Sequence, residues 1–207
     1  MEAARQAVLD ALAAHEPADE DERRHRDAIA ALVAATPRCF DRDLYDPGHL
    51  TGSAFVLDGR SGKVLLHHHR RLDRWLQLGG HDEGEHDPLA TALREAREES
   101  GLDDLTPLTP EILDLDVHAI PAGRDEPPHL HHDLRYALVT RTADTIEPAA
   151  ESLALQWFPL DEAARLMNEP GADRALRRLA AFAAELARRA TPPSPSTVPA
   201  TRVRPLP

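Results

Sequence analysis

What the chain lacks excludes several kinds of chemistry. Cys39 is the only cysteine among 207 residues, which excludes an intramolecular disulfide and a multi-cysteine metal site. Lys63 is the only lysine, and 24 basic residues are outnumbered by 36 acidic ones, for a net charge of −12. This balance argues against general nucleic-acid binding, which needs a basic surface. A negatively charged substrate would need a divalent metal ion and local arginines.

Long apolar runs and a targeting signal are missing as well. The chain has no run of about 18 apolar residues, the length that suggests a membrane span, and acidic residues occur early at its N-terminus. A secretory signal would place an apolar segment there. We therefore predict a cytoplasmic protein without a membrane partner.

The length of the chain suits one well-buried domain with additions. Helical periodicity over residues 2–14 and 20–35 predicts two helices, which either cover the core or form part of a homodimer contact. Residues 191–207 hold six of the 18 prolines and predict a disordered or extended arm. The predicted organisation is an N-terminal helical extension over residues 1–45, a catalytic domain over 46–189 and a Pro-rich tail over 190–207.

The most informative stretch is a glycine-bounded loop that leads into an acidic helix. Asp87-Pro88 is a strong helix start and Gly101 a strong stop. The helical spacing places Glu95, Glu98 and Glu99 together on one face, where like charges repel each other. Such a cluster indicates a compensating cation, and oxygen ligands suit Mg²⁺ or Mn²⁺. The simpler alternative is a solvated acidic face paired with nearby arginines.

The residues of this stretch resemble the Nudix box, G-x5-E-x7-R-E-U-x-E-E-x-G-U, in which U is aliphatic. The chain departs from the box at one fixed position, where His86 stands in place of the first glutamate and Glu85 precedes it. A shift of the loop by one residue would let Glu85 take that place. The matching residues are Gly80, Arg94, Glu95, Ala96, Glu98, Glu99, Gly101 and Leu102.

The resemblance implies a fold and a metal site. The expected fold is α/β, a Nudix-type α/β/α sandwich with a mixed β-sheet, to which this chain adds the N-terminal helical extension. Glu95, Glu98 and Glu99, with the backbone carbonyl near Gly79 or Gly80, are expected to bind Mg²⁺, or alternatively Mn²⁺. Arg94 is expected to orient the glutamates.

The general base is left open by the sequence. Glu98, Glu99 or another box glutamate is one candidate. Glu151 is the other, because it lies shortly before Trp157-Phe158-Pro159, a run similar to the last core strand of many Nudix domains. A plain helix-terminal acid is the alternative interpretation of Glu151.

A second informative stretch is the predicted strand from His129 to Thr140. Its period of two places His129, His131, Asp133 and Arg135 on one face. These groups could bind a transition metal, contact phosphate and sugar, or form an exposed face. We predict that His131, Asp133 and Arg135, together with His81 of the loop, bind substrate.

The histidine run at residues 67–69 is interpreted as an exposed or substrate-side polar patch, because consecutive strand residues point to opposite faces. Four aromatic side chains are candidates for stacking on a base, namely Phe55, Trp75, Tyr136 and Trp157.

The predicted function is metal-dependent hydrolysis of a diphosphate linkage. The implied substrates are a nucleoside diphosphate linked to another moiety, such as a nucleotide sugar, a dinucleotide or a nucleoside triphosphate. A non-catalytic Nudix-like sensor is the alternative, although retention of three acidic residues argues against it. An isoprenyl diphosphate isomerase shares the fold, but the context of Cys39 does not match its catalytic cysteine.

Overall fold

The structure is a computed structural model that describes residues 1–123, 126–150 and 152–190. It opens with two helices, α1 (Glu2–Ala14) and α2 (Glu20–Ala35). Asp19 caps α2 by accepting a hydrogen bond from the Glu22 N–H at 2.8 Å. Both helices match the predicted ranges, because their caps and apolar spacing are local signals.

One mixed sheet forms the centre of the molecule. Strand β1 (His49–Asp58) is fully buried and pairs along its whole length with β7 (His129–Thr140) in parallel. All other pairings are antiparallel. The remaining strands are β2 (Val64–His69), β3 (Arg74–Leu76), β4 (Leu78–His81), β5 (Thr106–Pro107), β6 (Asp114–Ile120) and β8 (Ser152–Phe158).

On the side opposite β7, β1 pairs with two different strands. Thr51–Ala54 pair with β4, and Val56–Leu57 pair with β2. This division brings the glycines of β4 beside the first half of β1. Helix α3 (Pro88–Ser100) begins directly above Gly52, where a Cβ atom would collide with the carbonyl oxygen of Pro88. The sheet therefore places the glycine loop and the acidic helix against each other.

Helices cover both faces of the sheet. One apolar core contains Leu50, Val56 and Ala96 together with residues of α1 and α2. The other lies against α4 (Leu160–Met167) and α5 (Pro170–Ala190) and contains Phe55 and Leu176. These layers confirm the predicted α/β/α sandwich and mixed sheet.

The N-terminal helices cover the core of their own chain. Ile29 and Val33 of α2 have no exposed surface and belong to the same core as β1. This settles one of the two alternatives for the hairpin, while a homodimer stays a prediction. Among the described residues, no helix has both the length and the apolar character needed to cross a membrane.

The apolar spacing near the C-terminus predicts a last helix from about Arg174 to Arg189, with Arg178 on its solvated side; the observed helix, α5, begins four residues earlier. Asn168 ends the preceding helix with a φ of 48°, and Pro170 begins α5. The prediction for Arg178 is wrong. Its guanidinium donates to both carboxylate oxygens of the buried Glu22, at 2.5 and 2.9 Å. The partner is distant in sequence, so no local pattern indicates it.

Candidate active site

Helix α3 presents a cluster of glutamates, Glu95, Glu98 and Glu99, which we call the cleft carboxylates. Asp87 caps the helix by accepting from the Leu89 N–H at 3.0 Å, and Gly101 ends it in the left-handed region with a φ of 71°. Glu99 accepts from the Gly79 N–H at 2.9 Å. A Cβ atom at Gly80 would collide with the carboxylate of Glu95. The glycine pair thus allows the backbone of β4 to lie directly against these side chains.

Arg94 holds the cluster in place. Its Nη1 atom donates to Glu95 at 3.1 Å and to Glu98 at 3.0 Å, and its Nη2 atom donates to the His81 carbonyl oxygen at 2.6 Å. Burial raises the pKa of Glu95, and the charge of Arg94 offsets only part of that rise. One arginine therefore orients two carboxylates without neutralising the whole cluster.

Glu85, the residue before the fixed box position at His86, is the loop carboxylate that contacts Arg94. The Arg94 Nε atom donates to Glu85 Oε1 at 2.7 Å. His86 has a positive φ of 51°, and its ring lies edge-on to Phe40 with the centroids 5.3 Å apart. The strained backbone of His86 turns the chain so that the preceding carboxylate reaches the arginine.

The cleft carboxylates lie in a large cleft with a volume of about 1160 Å³. Its rim carries basic side chains, of which Arg42 and Arg71 contact Glu126 at 3.5 Å and Arg70 donates to the Ala150 carbonyl oxygen. The sequence analysis expects arginines near the metal for an anionic substrate. The arginines that line the cleft besides Arg94 and Arg135 are Arg42, Arg70, Arg71 and Arg74.

Two of the predicted substrate-binding residues, His81 and His131, also line the cleft. Their Nε2 atoms are 3.3 Å apart. Burial lowers the pKa of His81 to about 3 and also lowers the pKa of His131, aided by neighbouring imidazoles. Both rings are therefore neutral near pH 7.

The other two predicted substrate-binding residues, Asp133 and Arg135, lie at the bottom of the cleft. Asp133 accepts from Thr51 Oγ1 at 3.0 Å and from Ser53 Oγ at 2.7 Å. Arg135 donates to Asp133 at 3.1 Å and to Asp116 at 3.0 Å. A substrate that contacts either residue would compete with these bonds.

Arg135 belongs to a larger set of charges that we call the buried ion-pair network. Burial opposes the charged form of Arg135, but its carboxylate neighbours outweigh burial and raise its pKa. Arg174 donates to Asp114 Oδ1 at 2.6 Å and continues the network toward α2. Its members are Glu22, Asp114, Asp116, Asp133, Arg135, Arg174 and Arg178.

Comparison with known proteins identifies the family. The family model of the NUDIX domain matches residues 48–179. The chain belongs to the Nudix family. It is accordingly a Nudix hydrolase, and the match covers β1, the acidic helix and the first 10 of the 21 residues of α5. Among curated proteins, no significant match to this chain is found.

Solved structures of Nudix proteins resemble the chain at low identity. A NUDIX-family hydrolase from Clostridium perfringens is 28% identical, covers 65% of this chain and 97% of its own, and has a TM-score of 0.48. An Ap4A hydrolase from C. elegans is 20% identical, with coverage of 66% and 98% and a TM-score of 0.47. The E. coli dihydroneopterin triphosphate pyrophosphohydrolase is 18% identical, with coverage of 62% and 92% and a TM-score of 0.49.

Within this Nudix site, His67 belongs to the histidine run for which an exposed or substrate-side patch is predicted above, and its side chain is buried. Its Nδ1 atom lies 3.0 Å from Ser152 Oγ and 3.5 Å from a carboxylate oxygen of Glu99. Burial lowers its pKa to about 4. The period of two in β2 places His67 and His69 on the cleft side; the contact with Glu99 is what the sequence does not indicate. Glu151 lies outside the described residues, so its predicted role stays a prediction.

The aromatic residues proposed for base stacking lie elsewhere. Phe55 and Tyr136 are core residues, Trp75 packs edge-on to Phe158, and Trp157 donates to the Ala143 carbonyl oxygen. Within the part of the chain that the structure describes, the cleft is lined by no Phe, Tyr or Trp. Histidine rings and arginine planes are the surfaces that remain for stacking.

Cys39 is equally remote from the cleft. It has no exposed surface, and burial raises the pKa of its thiol to about 11. A thiol in that state is a poor nucleophile, which supports the exclusion of the isomerase alternative.

Proposed function

We propose that the protein is a Mg²⁺-dependent pyrophosphohydrolase that cleaves the diphosphate linkage of a nucleoside diphosphate joined to another moiety. One observation carries the proposal: the cleft carboxylates and a rim of arginines share a single cleft. Carboxylates can hold a hard cation, and arginines complement phosphate oxygens. The volume of about 1160 Å³ suits a substrate with a group on each side of the diphosphate.

The residues fit a magnesium ion in chemistry and in shape. Glu95, Glu98 and Glu99 offer oxygen atoms, and the absence of a side chain at Gly80 leaves the space beside Glu95. Burial already raises the pKa of Glu95, a sign of negative charge without a full counter-charge. A bound Mg²⁺ supplies charge neutralisation on the phosphate oxygens and lowers the pKa of the attacking water.

The protein residues have distinct roles in the proposed reaction. Arg94 keeps Glu95 and Glu98 in place. Arg70 and Arg71 attract the diphosphate and neutralise charge on its outer oxygens. His81 and His131 stay neutral, and each keeps one ring N–H that can donate a hydrogen bond at the far end of the cleft.

Proton removal from the attacking water is assigned to one of two carboxylates. Glu99 lies in the cleft, where it contacts His67, an imidazole that burial keeps neutral. Glu151 is the second candidate, on the sequence resemblance given above. The variants Glu99→Gln and Glu151→Gln distinguish these candidates through the dependence of kcat on pH. Only the variant that lacks the general base should lose the fall of kcat at acidic pH.

The test is a substrate panel. Nucleoside triphosphates, nucleotide sugars, ADP-ribose and dinucleoside polyphosphates are each incubated with the protein and Mg²⁺ or Mn²⁺, and phosphate products are scored. We expect turnover of at least one diphosphate-linked compound, abolished by EDTA and restored by excess Mg²⁺. Reaction in ¹⁸O-labelled water then identifies the phosphorus atom that is attacked. Binding without turnover across the panel would contradict the proposal and favour a sensor.

A further inference from the structure

Histidines from three strands meet at one end of the cleft. His49 begins β1, His81 ends β4, and His129 and His131 begin β7. The parallel register pairs His49 with His131, and the antiparallel register pairs Thr51 with His81. The topology therefore brings these four side chains to the same end of the three strands, although the strands contribute them from positions about 30 to 80 residues apart in sequence.

Three of the rings are close enough to share an ion, and the fourth lies beside one of them. Ligand atoms of His49, His129 and His131 all lie within 4.8 Å of one another, and the Nε2 atoms of His81 and His131 are 3.3 Å apart. In a tetrahedral zinc site with Zn–N bonds of about 2.0–2.1 Å, two ligand nitrogens are separated by about 3.4 Å. The pair of His81 and His131 has that separation, and the other ligand atoms would reach it through side-chain rotation when an ion binds.

Hydrogen bonds fix the tautomers of two of the rings. His49 Nδ1 lies 3.1 Å from the Leu44 carbonyl oxygen, and His129 Nδ1 lies 2.8 Å from the Pro127 carbonyl oxygen. Because a carbonyl only accepts, each Nδ1 carries the proton and each Nε2 keeps its lone pair. Histidine ligands in metal sites commonly donate their second nitrogen to a backbone carbonyl in this way.

The Nε2 lone pairs of His49 and His129 accept no hydrogen bond in the part of the chain that the structure describes. Both side chains are more than nine-tenths buried, and within the described residues their Nε2 atoms have no hydrogen-bond partner. Buried polar atoms are rarely left without a partner. Packing of the rings as a plain aromatic cluster would account for the ring contacts but leaves these two nitrogens unexplained.

We propose that His49, His129 and His131 bind a borderline transition-metal ion, with Zn²⁺ as the best fit, and that His81 completes a tetrahedral site from the cleft side. Neutral imidazole suits zinc, whereas magnesium prefers oxygen. The ion is therefore distinct from the one assigned to the cleft carboxylates. It ties β1, β4 and β7 together and adds positive charge to the cleft.

The experiment uses the full chain without a polyhistidine tag. Protein stripped with EDTA is titrated with Zn²⁺ in excess Mg²⁺ against a chromophoric chelator, and the retained metal is counted. We expect one Zn²⁺ per chain. X-ray absorption at the zinc edge should show a shell of three or four imidazole nitrogens at about 2.0–2.1 Å, and Co²⁺ should give the visible spectrum of a four-coordinate ion.

Variants separate this site from other histidines. His129→Ala and His131→Ala should weaken zinc binding by about 100-fold or more, since each removes a ligand. His68→Ala is the matched control, because His68 pairs with Asp73 outside the cluster. Circular dichroism checks that each variant folds. If a variant does not fold, the X-ray absorption spectrum of the wild-type protein provides the test instead.

Two results would overturn the proposal: no zinc retained by the folded wild type in excess Mg²⁺, or a zinc shell made of carboxylate oxygens. The measurements need no substrate. An inactive protein that binds zinc through histidine therefore refutes only the proposed hydrolysis, and an active protein without zinc refutes only this site.

Discussion

Arginines and carboxylates meet in two regions of this molecule, with different results. In the cleft, Arg94 contacts Glu85, Glu95 and Glu98, and the Glu98 side chain is 58% exposed. In the buried ion-pair network, Arg135 contacts Asp114, Asp116 and Asp133, and its side chain is 2% exposed. The first region leaves uncompensated negative charge open to a ligand, whereas the second buries four carboxylates with three arginines, and burial raises the pKa of Asp114 to about 7 in spite of its arginine neighbours. Residue type alone does not distinguish a site from a structural element; accessibility does.

The largest effect is expected for a substitution in the cleft. Glu98→Gln should lower the Mg²⁺-dependent kcat by about 100- to 1000-fold, the range seen when a group that stabilises transition-state charge is lost. The melting temperature should stay unchanged, because the side chain is mostly exposed. Steady-state kinetics and thermal melts measure the two effects.

The control for that variant is Glu111→Gln, which changes an exposed glutamate away from the cleft. Near-normal rates in Glu98→Gln would sink the assignment of the metal site.

The buried network should show the reverse pattern. Arg135→Leu leaves the carboxylates of Asp114, Asp116 and Asp133 without their shared cation, and should lower the free energy of unfolding by about 3–5 kcal/mol. Urea denaturation measures the loss. Arg165→Leu, which breaks only an exposed pair with Asp161, should cost less than about 1 kcal/mol.

Asp133→Asn is a milder variant of the same network, useful if Arg135→Leu does not fold. Unchanged stability together with a raised KM in either variant would support the prediction that these residues bind substrate.

A third prediction concerns Glu22, the network member in α2. Burial alone raises the pKa of this carboxyl, but hydrogen bonds from His15, Arg178 and the Ala18 N–H outweigh burial and hold the pKa well below its ordinary value. Its stabilising contribution is therefore present above pH 4.5 and is lost as the pH falls toward the folded-state pKa.

Glu22→Gln should lower the free energy of unfolding by about 2 kcal/mol at pH 7. Relative to wild type, the difference should shrink as the pH falls from about 5 to about 3. Urea denaturation across this pH range tests both statements. A difference that does not change with pH would show that the charge of Glu22 is not what stabilises the fold.

The smallest effect is expected in the loop before α3. His86→Glu should leave kcat/KM within about twofold. Glu85→Gln should lower kcat/KM by about two- to fivefold, because the ion pair between Glu85 and Arg94 is partly exposed and is worth up to about 1 kcal/mol. Steady-state kinetics of the two variants, measured in parallel with the wild type, compare their kcat/KM values. Complete loss of activity in His86→Glu would show that the histidine has its own role.

The acidic helix was predictable because all of its signals are local. Asp87, Pro88 and Gly101 fix its ends, and the spacing of the glutamates places them on one face. Glu20 and Ala35 bound α2 as predicted, for the same reason.

What the sequence left undecided depends on contacts between distant residues. The same alternation in β7 describes His131, which lines the cleft, and Arg135, which pairs with aspartates of β6; only the strand pairing separates their surroundings. His49 contacts histidines of β4 and β7, and Arg178 pairs with a glutamate 156 residues away. Neither partner is indicated by the local sequence. Periodicity predicts which face a side chain takes, but not what lies on that face.

The tie between Glu22 and Arg178 also limits how the protein can be shortened. The family match begins at residue 48 and ends at residue 179, so a fragment cut at those boundaries would keep Arg174 and Arg178 but lose Glu22. It would also expose the core surface that Ile29 and Val33 cover. The segment matched by the family model is thus shorter than the segment that should fold in this protein. Any fragment made for crystallisation, fusion or library design should therefore retain α1 and α2.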